Sequence, residues 1–166
     1  MCLICERIRE ITENKNSYFV KEMTTGYVVI GDHQYFEGYT LFLCKQHVNE
    51  LHELPHEYKL KFLDEMSLVS QAVSQAFQAD KMNIELLGNG ESHVHWHLFP
   101  RKNADLGKYG HNGKGPVWWL PFDEMYDENV RPSNEKLQEL KVKLIDEINK
   151  IGSVTTNGLF LTRNSV

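Results

Sequence analysis

Three histidines stand at every second position of the stretch SHVHWHLFPR, which covers residues 92–101. Successive side chains of a β-strand point to opposite faces, so His93, His95 and His97 would share one face while Val94 and Trp96 point into a core. Rings crowded in this way disfavour joint protonation, which predicts neutral imidazoles near physiological pH. A neutral imidazole can be a nucleophile, a proton shuttle or a metal ligand. The spacing therefore predicts a chemical site on a strand and leaves these three roles open.

The elements around this strand predict a single α+β domain over residues 1–166. Segments that favour β-strands cover residues 18–21, 27–30, 39–44, 83–87 and 93–99, with a tight turn at Gly88-Asn89-Gly90 before the last. Apolar residues recur at helical spacing between Pro55 and Gln78, and a second helix opens at Ser133, a candidate N-cap. These patterns predict a five-stranded antiparallel sheet with the long helix packed on one face. Residues 1–101 carry the motifs, and residues 102–166 add a loop, the C-terminal helix and a tail.

The charge balance limits the partners of the protein. The chain has 18 Lys and Arg residues against 23 Asp and Glu residues, a net charge of −5, so we expect no broad cationic surface for nucleic acid. A local pocket for a small anionic substrate remains compatible with that balance. No apolar run approaches the roughly 20 residues of a membrane span, and the N-terminus has no signal-peptide pattern. We expect a cytoplasmic protein without membrane or nucleic-acid partners.

The three cysteines do not fit a disulfide-stapled secreted domain, since their number is odd and the chain is long. Cys2 and Cys5 form a C-x-x-C, a spacing used in redox chemistry and in metal binding, and also found with no role. A thioredoxin-type motif needs a preceding strand, and only Met1 stands before Cys2, so we do not expect redox chemistry. Cys44 is predicted to be a small core residue of its strand.

The histidine stretch resembles a known signature. HVHWHLF followed by Pro100-Arg101 is similar to the motif of the histidine triad (HIT) superfamily of nucleotide hydrolases and transferases. The Trp96 spelling and the upstream NIELLGN resemble bacterial HIT proteins related to dinucleoside polyphosphate hydrolases. The resemblance extends through roughly the first hundred residues, and KGPVWW is similar to a segment of some bacterial members. It implies the α+β fold above and a homodimer joined by an extended sheet and helices.

The resemblance implies a separate role for each of two histidines. His95 would attack the α-phosphate of a nucleotide and carry a covalent nucleotidyl group, with its other ring nitrogen donating to a backbone carbonyl near His93. His97 would donate to a phosphoryl oxygen as charge shifts. Transferase branches of the superfamily carry glutamine at this third position, so His97 favours hydrolysis.

The resemblance also implies substrate contacts. Asp32 aligns with an acidic residue that accepts hydrogen bonds from ribose hydroxyls, although a solvated turn aspartate is an equal interpretation. Asn83 and Asn89 stand where relatives place amides against phosphate, and Ser92 could supply a hydroxyl. The usual Gln-Ser/Thr-Val run before the triad is replaced by NGES at residues 89–92. Glu91 near phosphate would be electrostatically unfavourable unless it faces away.

The C-x-x-C has a further implication through the resemblance. In several bacterial relatives a structural zinc is held at the positions of Cys2, Cys5, His47 in KQHV and His93. Two thiolates and two imidazoles form a closed tetrahedral set, which is typical of structural zinc. Under this interpretation His93 is a ligand, and the chemistry falls on His95 and His97. The alternative is a reduced cysteine pair beside a loop histidine.

Together these observations predict a hydrolase of adenosine-containing phosphoanhydrides, such as diadenosine polyphosphates, that releases a nucleoside monophosphate. Three alternatives stay open: a nucleoside phosphoramidate hydrolase, a nucleotide-binding protein without catalysis, and a metallohydrolase that uses all three histidines. Trp118 and Trp119 could line the pocket for the leaving group, but adjacent tryptophans are more typical of a core or a dimer interface.

Overall fold

A five-stranded sheet forms the centre of the fold. The computed structural model describes residues 2–109 and 112–161, with side chains described as far as residue 153 in the last helix. The strands are β1 (Phe19–Glu22), β2 (Gly26–Ile30), β3 (Thr40–Cys44), β4 (Lys81–Glu85) and β5 (His95–Arg101). They lie in the order β1-β2-β3-β5-β4, and every neighbouring pair is antiparallel. The predicted sheet is confirmed.

The helices surround this sheet. They are α1 (Leu3–Thr12), α2 (His56–Ala76), the short α3 (Phe122–Met125) and α4 (Asn134–Leu161). Ser133 caps α4 as predicted, since its Oγ accepts a hydrogen bond of 3.2 Å from the backbone N–H of Lys136. Within the described part of the chain, no helix combines the length and apolar character that a membrane crossing requires.

The connection between β4 and β5 differs from the tight turn that the sequence predicts. β4 ends at Glu85 and β5 begins at His95, so residues 86–94 form a longer loop. The end of this loop is drawn towards β3, because the backbone of Val94 donates to the Val48 carbonyl at 2.9 Å and accepts from the Cys44 N–H at 3.2 Å. These bonds place His93 beside the N-terminus of α1 rather than in the β4–β5 ladder.

The two faces of the sheet are covered by different layers. The first face carries Val94 and Trp96 into the core beneath α2 and α4, as predicted. The second face is covered by α1, through Ile4 and Ile11, and by the segment after β5. The sequence predicts the first layer only. Because His95 and His97 lie on the second face, the unpredicted layer is the one that encloses them.

A buried carboxylate joins α2 to the β1–β2 turn. Glu65 is 3% exposed. Its two oxygens accept hydrogen bonds from the backbone N–H groups of Thr24 (3.0 Å) and Thr25 (2.8 Å) and from the Thr25 hydroxyl (2.5 Å). Among the contacts described, these two N–H groups and the hydroxyl have no acceptor other than Glu65. The carboxylate therefore fixes the position of α2 over the first face.

Replacement of Glu65 by alanine should destabilise the fold strongly. Two N–H groups and a hydroxyl would lose their acceptor inside the protein, which predicts a loss of about 3 kcal/mol in the free energy of unfolding. Urea denaturation of Glu65→Ala measures this loss. The control is Asp64→Ala on the same helix, whose exposed carboxylate pairs with Lys61 at the surface. Equal stability of the two variants would show that Glu65 does not hold the turn.

Candidate active site and metal centre

Strand β5 places two histidine rings side by side on the second face. His95 lies opposite Leu43 of β3, and His97 lies between Leu41 of β3 and Glu85 of β4. The centroids of the two rings are 4.7 Å apart. His95 is buried and His97 is half-buried. The shared face predicted from the alternating pattern is confirmed for His95 and His97, whereas His93 precedes the strand.

A short hydrogen bond orients the ring of His95. Its Nδ1 lies 2.7 Å from the backbone carbonyl oxygen of His93, so Nδ1–H donates and the predicted bond is confirmed. Nε2 is then the unprotonated nitrogen. Burial lowers the pKa of His95, and the charge of Arg7 lowers it further, against the opposing effects of the His93 carbonyl and Glu91. The ring is a neutral base with one free lone pair.

His97 is held by a tyrosine that the sequence pattern did not single out. The hydroxyl oxygen of Tyr39 lies 2.6 Å from His97 Nδ1, and the rings of both residues stack in parallel with Phe99. Burial raises the pKa of Tyr39 well above its ordinary value, so the hydroxyl keeps its proton and is available to Nδ1 as a donor. Burial, and then His95, lower the pKa of His97 to about 4, so the ring is neutral. The tautomer in which Tyr39 donates to Nδ1 carries the His97 proton on Nε2.

Four side chains from separate parts of the chain form a candidate metal centre. The ligand atoms of Cys2, Cys5, His47 and His93 all lie within 4.8 Å of one another. Cys5 Sγ is 3.1 Å from His47 Nδ1 and 3.4 Å from His93 Nδ1, and Cys2 Sγ is 3.5 Å from His93 Nδ1. Tetrahedral bonds of the usual zinc lengths place sulfur and nitrogen ligands about 3.5 Å apart. This cluster could hold a metal ion.

The surroundings of the cluster orient its ligands. His93 is 1% exposed, and its Nε2–H donates to the Cys44 carbonyl at 2.9 Å, which leaves Nδ1 facing the two sulfurs. The backbone N–H of Cys5 donates to Cys2 Sγ at 3.3 Å. Desolvation, and then Cys2 and Glu91, raise the pKa of the Cys5 thiol, so a nearby cation would be needed to keep it as a thiolate.

The predicted ribose contact, Asp32, lies in the loop after β2 and forms an ion pair with Arg7 of α1. Both side chains are about one quarter exposed, at 25% and 26%. They line a cavity of about 340 Å³ together with Tyr18 and Arg131. Arg7 is a site residue that sequence reasoning missed, because nothing in a charged helical segment shows which neighbour will lie beneath it.

The other predicted substrate contacts do not converge on the histidines. Asn83 lies on the second face of β4, but its Oδ1 accepts a 2.8 Å hydrogen bond from Arg101, near the far end of β5. Asn89 and Ser92 line a separate cavity of about 300 Å³ beside Val94. Ser92 Oγ donates to Asn49 at 2.9 Å. By contrast, Asp32 is close enough to Tyr39, the hydrogen-bond partner of His97, for its charge to raise the pKa of that tyrosine.

Glu91 joins the loop before β5 to the start of α1. Its Oε2 accepts a 3.2 Å hydrogen bond from the backbone N–H of Leu3 in the first turn of α1. Anionic side chains are stabilised at this end of a helix by its unpaired N–H groups. The NGES sequence that replaces the usual run therefore provides, through Glu91, a contact that holds the start of α1.

Glu85 and the ring of Trp118 lie on the β4 side of His97. Glu85 is the β4 partner of His97, and its carboxylate accepts a 2.7 Å hydrogen bond from Trp118 Nε1. The Trp118 ring meets Phe99 edge to face at 6.4 Å and is still 43% exposed. Trp118 is thus a partly open surface beside the histidines and does not belong to a closed core.

Known proteins are similar to this chain to different degrees. Adenosine 5'-monophosphoramidase HNT1 of Saccharomyces cerevisiae is 27% identical over 146 residues, which cover 84% of this chain and 83% of that protein. The solved structure of a histidine triad protein from Marinobacter aquaeolei VT8 has a TM-score of 0.66 at 23% identity and covers 84% of this chain and 95% of that one. A Zn-bound histidine triad family protein from Mycobacterium smegmatis has a TM-score of 0.61 at 18% identity, with coverages of 92% and 96%. These two structures show the shared fold.

The family is shown by the sequence itself. The model of the HIT domain matches residues 12–104, more than half of the chain, and the matched part contains β1 to β5 with His93, His95 and His97. A strand that aligns a neutral histidine pair on an enclosed face of a five-stranded antiparallel sheet, together with this match, establishes that the chain belongs to the HIT domain family.

Proposed function

We propose that this protein is a nucleotidyl hydrolase that cleaves adenosine 5'-phosphate derivatives at the α-phosphate through a nucleotidyl group on His95. The observation that carries the proposal is the 2.7 Å hydrogen bond from His95 Nδ1 to the His93 carbonyl, which leaves Nε2 as a neutral nucleophile on an enclosed face. The relative named adenosine 5'-monophosphoramidase supports the same class of reaction.

In the proposed reaction His95 Nε2 forms a bond to the α-phosphorus as the bond from phosphorus to the leaving group breaks. The leaving nitrogen or oxygen departs with the bonding electrons and takes a proton from water. Nε2–H of His97 donates to a phosphoryl oxygen, where negative charge builds up. Water then attacks the phosphorus, the bond to His95 breaks, and a nucleoside monophosphate is released.

The charges beside His97 favour an amine as the leaving group. Glu85 lies opposite His97 in the sheet and is held in place by Trp118. A carboxylate at this position attracts a protonated amine and repels a further phosphate. Adenosine phosphoramidates are therefore the first substrate class that we propose.

Diadenosine polyphosphates are the second candidate. The exposed part of the Trp118 ring offers a surface on which a second nucleobase could stack. This contact would have to outweigh the repulsion between Glu85 and a polyphosphate, and for that reason the class stands second.

Replacement of His95 by alanine should abolish hydrolysis of both substrate classes. Loss of the nucleophile predicts a fall in kcat/KM of at least about 1,000-fold. Release of AMP from adenosine 5'-phosphoramidate and from diadenosine tetraphosphate is quantified by chromatography. His52→Ala is the matched control, since His52 is exposed and outside the site. If the wild type is no faster than His95→Ala on either substrate, while it binds AMP saturably, the protein is a nucleotide-binding protein and the hydrolase proposal is wrong.

We also infer that the cluster of Cys2, Cys5, His47 and His93 holds a structural zinc ion. The spacing of its sulfur and nitrogen atoms matches tetrahedral zinc, and the set leaves no open position for a water or substrate. When bound, zinc would stabilise the contact of α1 with the start of β5. The chemistry would remain with His95 and His97, which are not in the cluster.

Metal analysis separates this site from a three-histidine metal centre. Purified wild-type protein should contain about one zinc per chain, and Cys2→Ser and Cys5→Ser should lose it. Cys44→Ala should retain the metal, since the Cys44 side chain is outside the cluster. Metal that survives in Cys2→Ser and disappears in His95→Ala would instead indicate a metallohydrolase.

The protonation state of His97 predicts how stability depends on pH. Its folded pKa of about 4 lies below the ordinary value of 6.5, so between these pH values the unfolded chain binds a proton that the folded protein excludes. The free energy of unfolding should therefore fall as the pH drops from 6.5 to 4, by up to about 3 kcal/mol from this group. The groups that face the ring are Tyr39, His95 and Glu85.

Urea denaturation at pH 7.0, 5.5 and 4.5 compares the wild type with His97→Gln. The variant lacks the titrating ring, so its stability should fall less over this range. Protonation of His95 and any loss of metal occur in both proteins and cancel in the comparison. Parallel pH profiles would show that His97 is not held neutral by its surroundings.

A further inference from the structure

Helix α1 presents an arginine to the same sheet face as the histidines. Ile4 and Ile11 of α1 are buried against that face. Arg7 stands three residues after Ile4 and four before Ile11, so it lies on the same side of the helix. The α1 N-terminus is fixed nearby, because Cys2 and Cys5 contact His93. Arg7 therefore lies on the side of α1 that faces the sheet, and its side chain is 26% exposed.

The partner of Arg7 is the carboxylate of Asp32. The two side chains form an ion pair in which each is about one quarter exposed. A pair this accessible contributes little to stability and can exchange partners at small cost. Both residues border the cavity of about 340 Å³, which also contains Tyr18 and Arg131 and is open to solvent. A nucleoside that enters this cavity would meet the pair directly.

A phosphate carries negative charge and binds best beside a cation. Each of the two histidine rings has its Nδ1 already engaged in a hydrogen bond, so it offers one nitrogen to a phosphate. Glu85, the β4 partner of His97, adds a carboxylate beside the rings. Arg7 brings a cation to the same face, because the residues of α1 on either side of it pack there. Its planar guanidinium can donate two parallel hydrogen bonds to phosphate.

We propose that Arg7 leaves Asp32 and binds the α-phosphate of the substrate. Asp32 is then free to accept hydrogen bonds from the ribose hydroxyls. This inference rests on the proposed function, since it places the phosphate at His95. Before substrate binds, Arg7 and Asp32 are paired with each other. Substrate binding replaces the Arg7–Asp32 ion pair with two contacts, one from Arg7 to the phosphate and one from Asp32 to the ribose. A nucleotide that carries both groups therefore binds better than phosphate or nucleoside alone.

The exchange makes a specific prediction about affinity ratios. The ratio of the adenosine dissociation constant to that of AMP measures what the phosphate contributes to binding. Arg7→Gln should lower this ratio at least tenfold, since a charged hydrogen-bonding partner of the phosphate is lost. Asp32→Asn should weaken adenosine binding but raise the ratio, because phosphate no longer competes with a carboxylate for Arg7. Isothermal titration calorimetry with AMP and adenosine measures both constants.

The controls separate binding from folding. Arg9→Gln removes an exposed arginine of the same helix, paired only with Glu6 among the described ion pairs, and should leave the ratio within twofold. Arg7→Lys keeps the charge without the fork and should recover part of the ratio. A merely structural role for Arg7 would weaken AMP and adenosine equally and leave the ratio unchanged. Circular dichroism melting confirms that each variant is folded.

The outcomes distinguish this inference from the hydrolase proposal. Turnover by the wild type, with an unchanged affinity ratio in Arg7→Gln or a lowered ratio in Asp32→Asn, would overturn the exchange and leave the reaction standing. The expected ratios without any turnover would overturn the hydrolase and retain Arg7 as the phosphate ligand. A wild type that binds neither AMP nor adenosine would overturn both.

Discussion

The hydrogen bond from His95 Nδ1 to the His93 carbonyl is the constraint on which the rest of the site depends. It selects the tautomer of His95, and its acceptor belongs to the residue whose side chain faces Cys2 and Cys5. One residue thus serves two sites, since its ring belongs to the candidate metal cluster and its carbonyl accepts a hydrogen bond from the neighbouring imidazole. Two hydrogen bonds fix the position of that carbonyl. The backbone N–H of Val94 donates to the Val48 carbonyl, and the His93 ring donates to the Cys44 carbonyl.

The packing behind β5 makes this arrangement rigid. Val94, Trp96 and Leu98 are buried under α2 and α4, so the strand cannot rotate without exposing its apolar side. Glu65 ties α2 to the β1–β2 turn and so keeps the helix in place over that face. On the other face the parallel rings of Tyr39, His97 and Phe99 leave His97 one orientation. The core and the candidate site are two faces of the same strand.

The parts of the structure that depend on local periodicity could be predicted from the sequence. Alternation placed His95 and His97 opposite Trp96, and helical spacing located α2 and α4. The C-x-x-C, His47 and His93 were assembled correctly, because a resemblance supplied contacts that spacing alone does not define. Tyr39 and Arg7 could not be found in this way, since their roles come from strand register and from where α1 rests on the sheet. The length of the loop of residues 86–94 was not predicted for a similar reason. Its glycines are typical of a tight turn, but a hydrogen bond from β3 to its last residue draws the end of the loop away from β4.

The electrostatics of the site connect these elements to chemistry. Burial keeps the histidines neutral, and a neutral imidazole with an available lone pair is the form that can attack phosphorus. The same burial removes the positive charge that would attract a phosphate, and Glu85 and Glu91 add negative charge nearby. The histidine strand by itself is therefore insufficient for the proposed reaction. It supplies a nucleophile but no positive charge that attracts the phosphate of a substrate. Helix α1 would answer both points, because the backbone N–H of Leu3 binds Glu91 and Arg7 places a guanidinium beside Asp32. Because the cysteines that begin α1 also contact His93, the helix that would attract the substrate is anchored to the strand that would attack it.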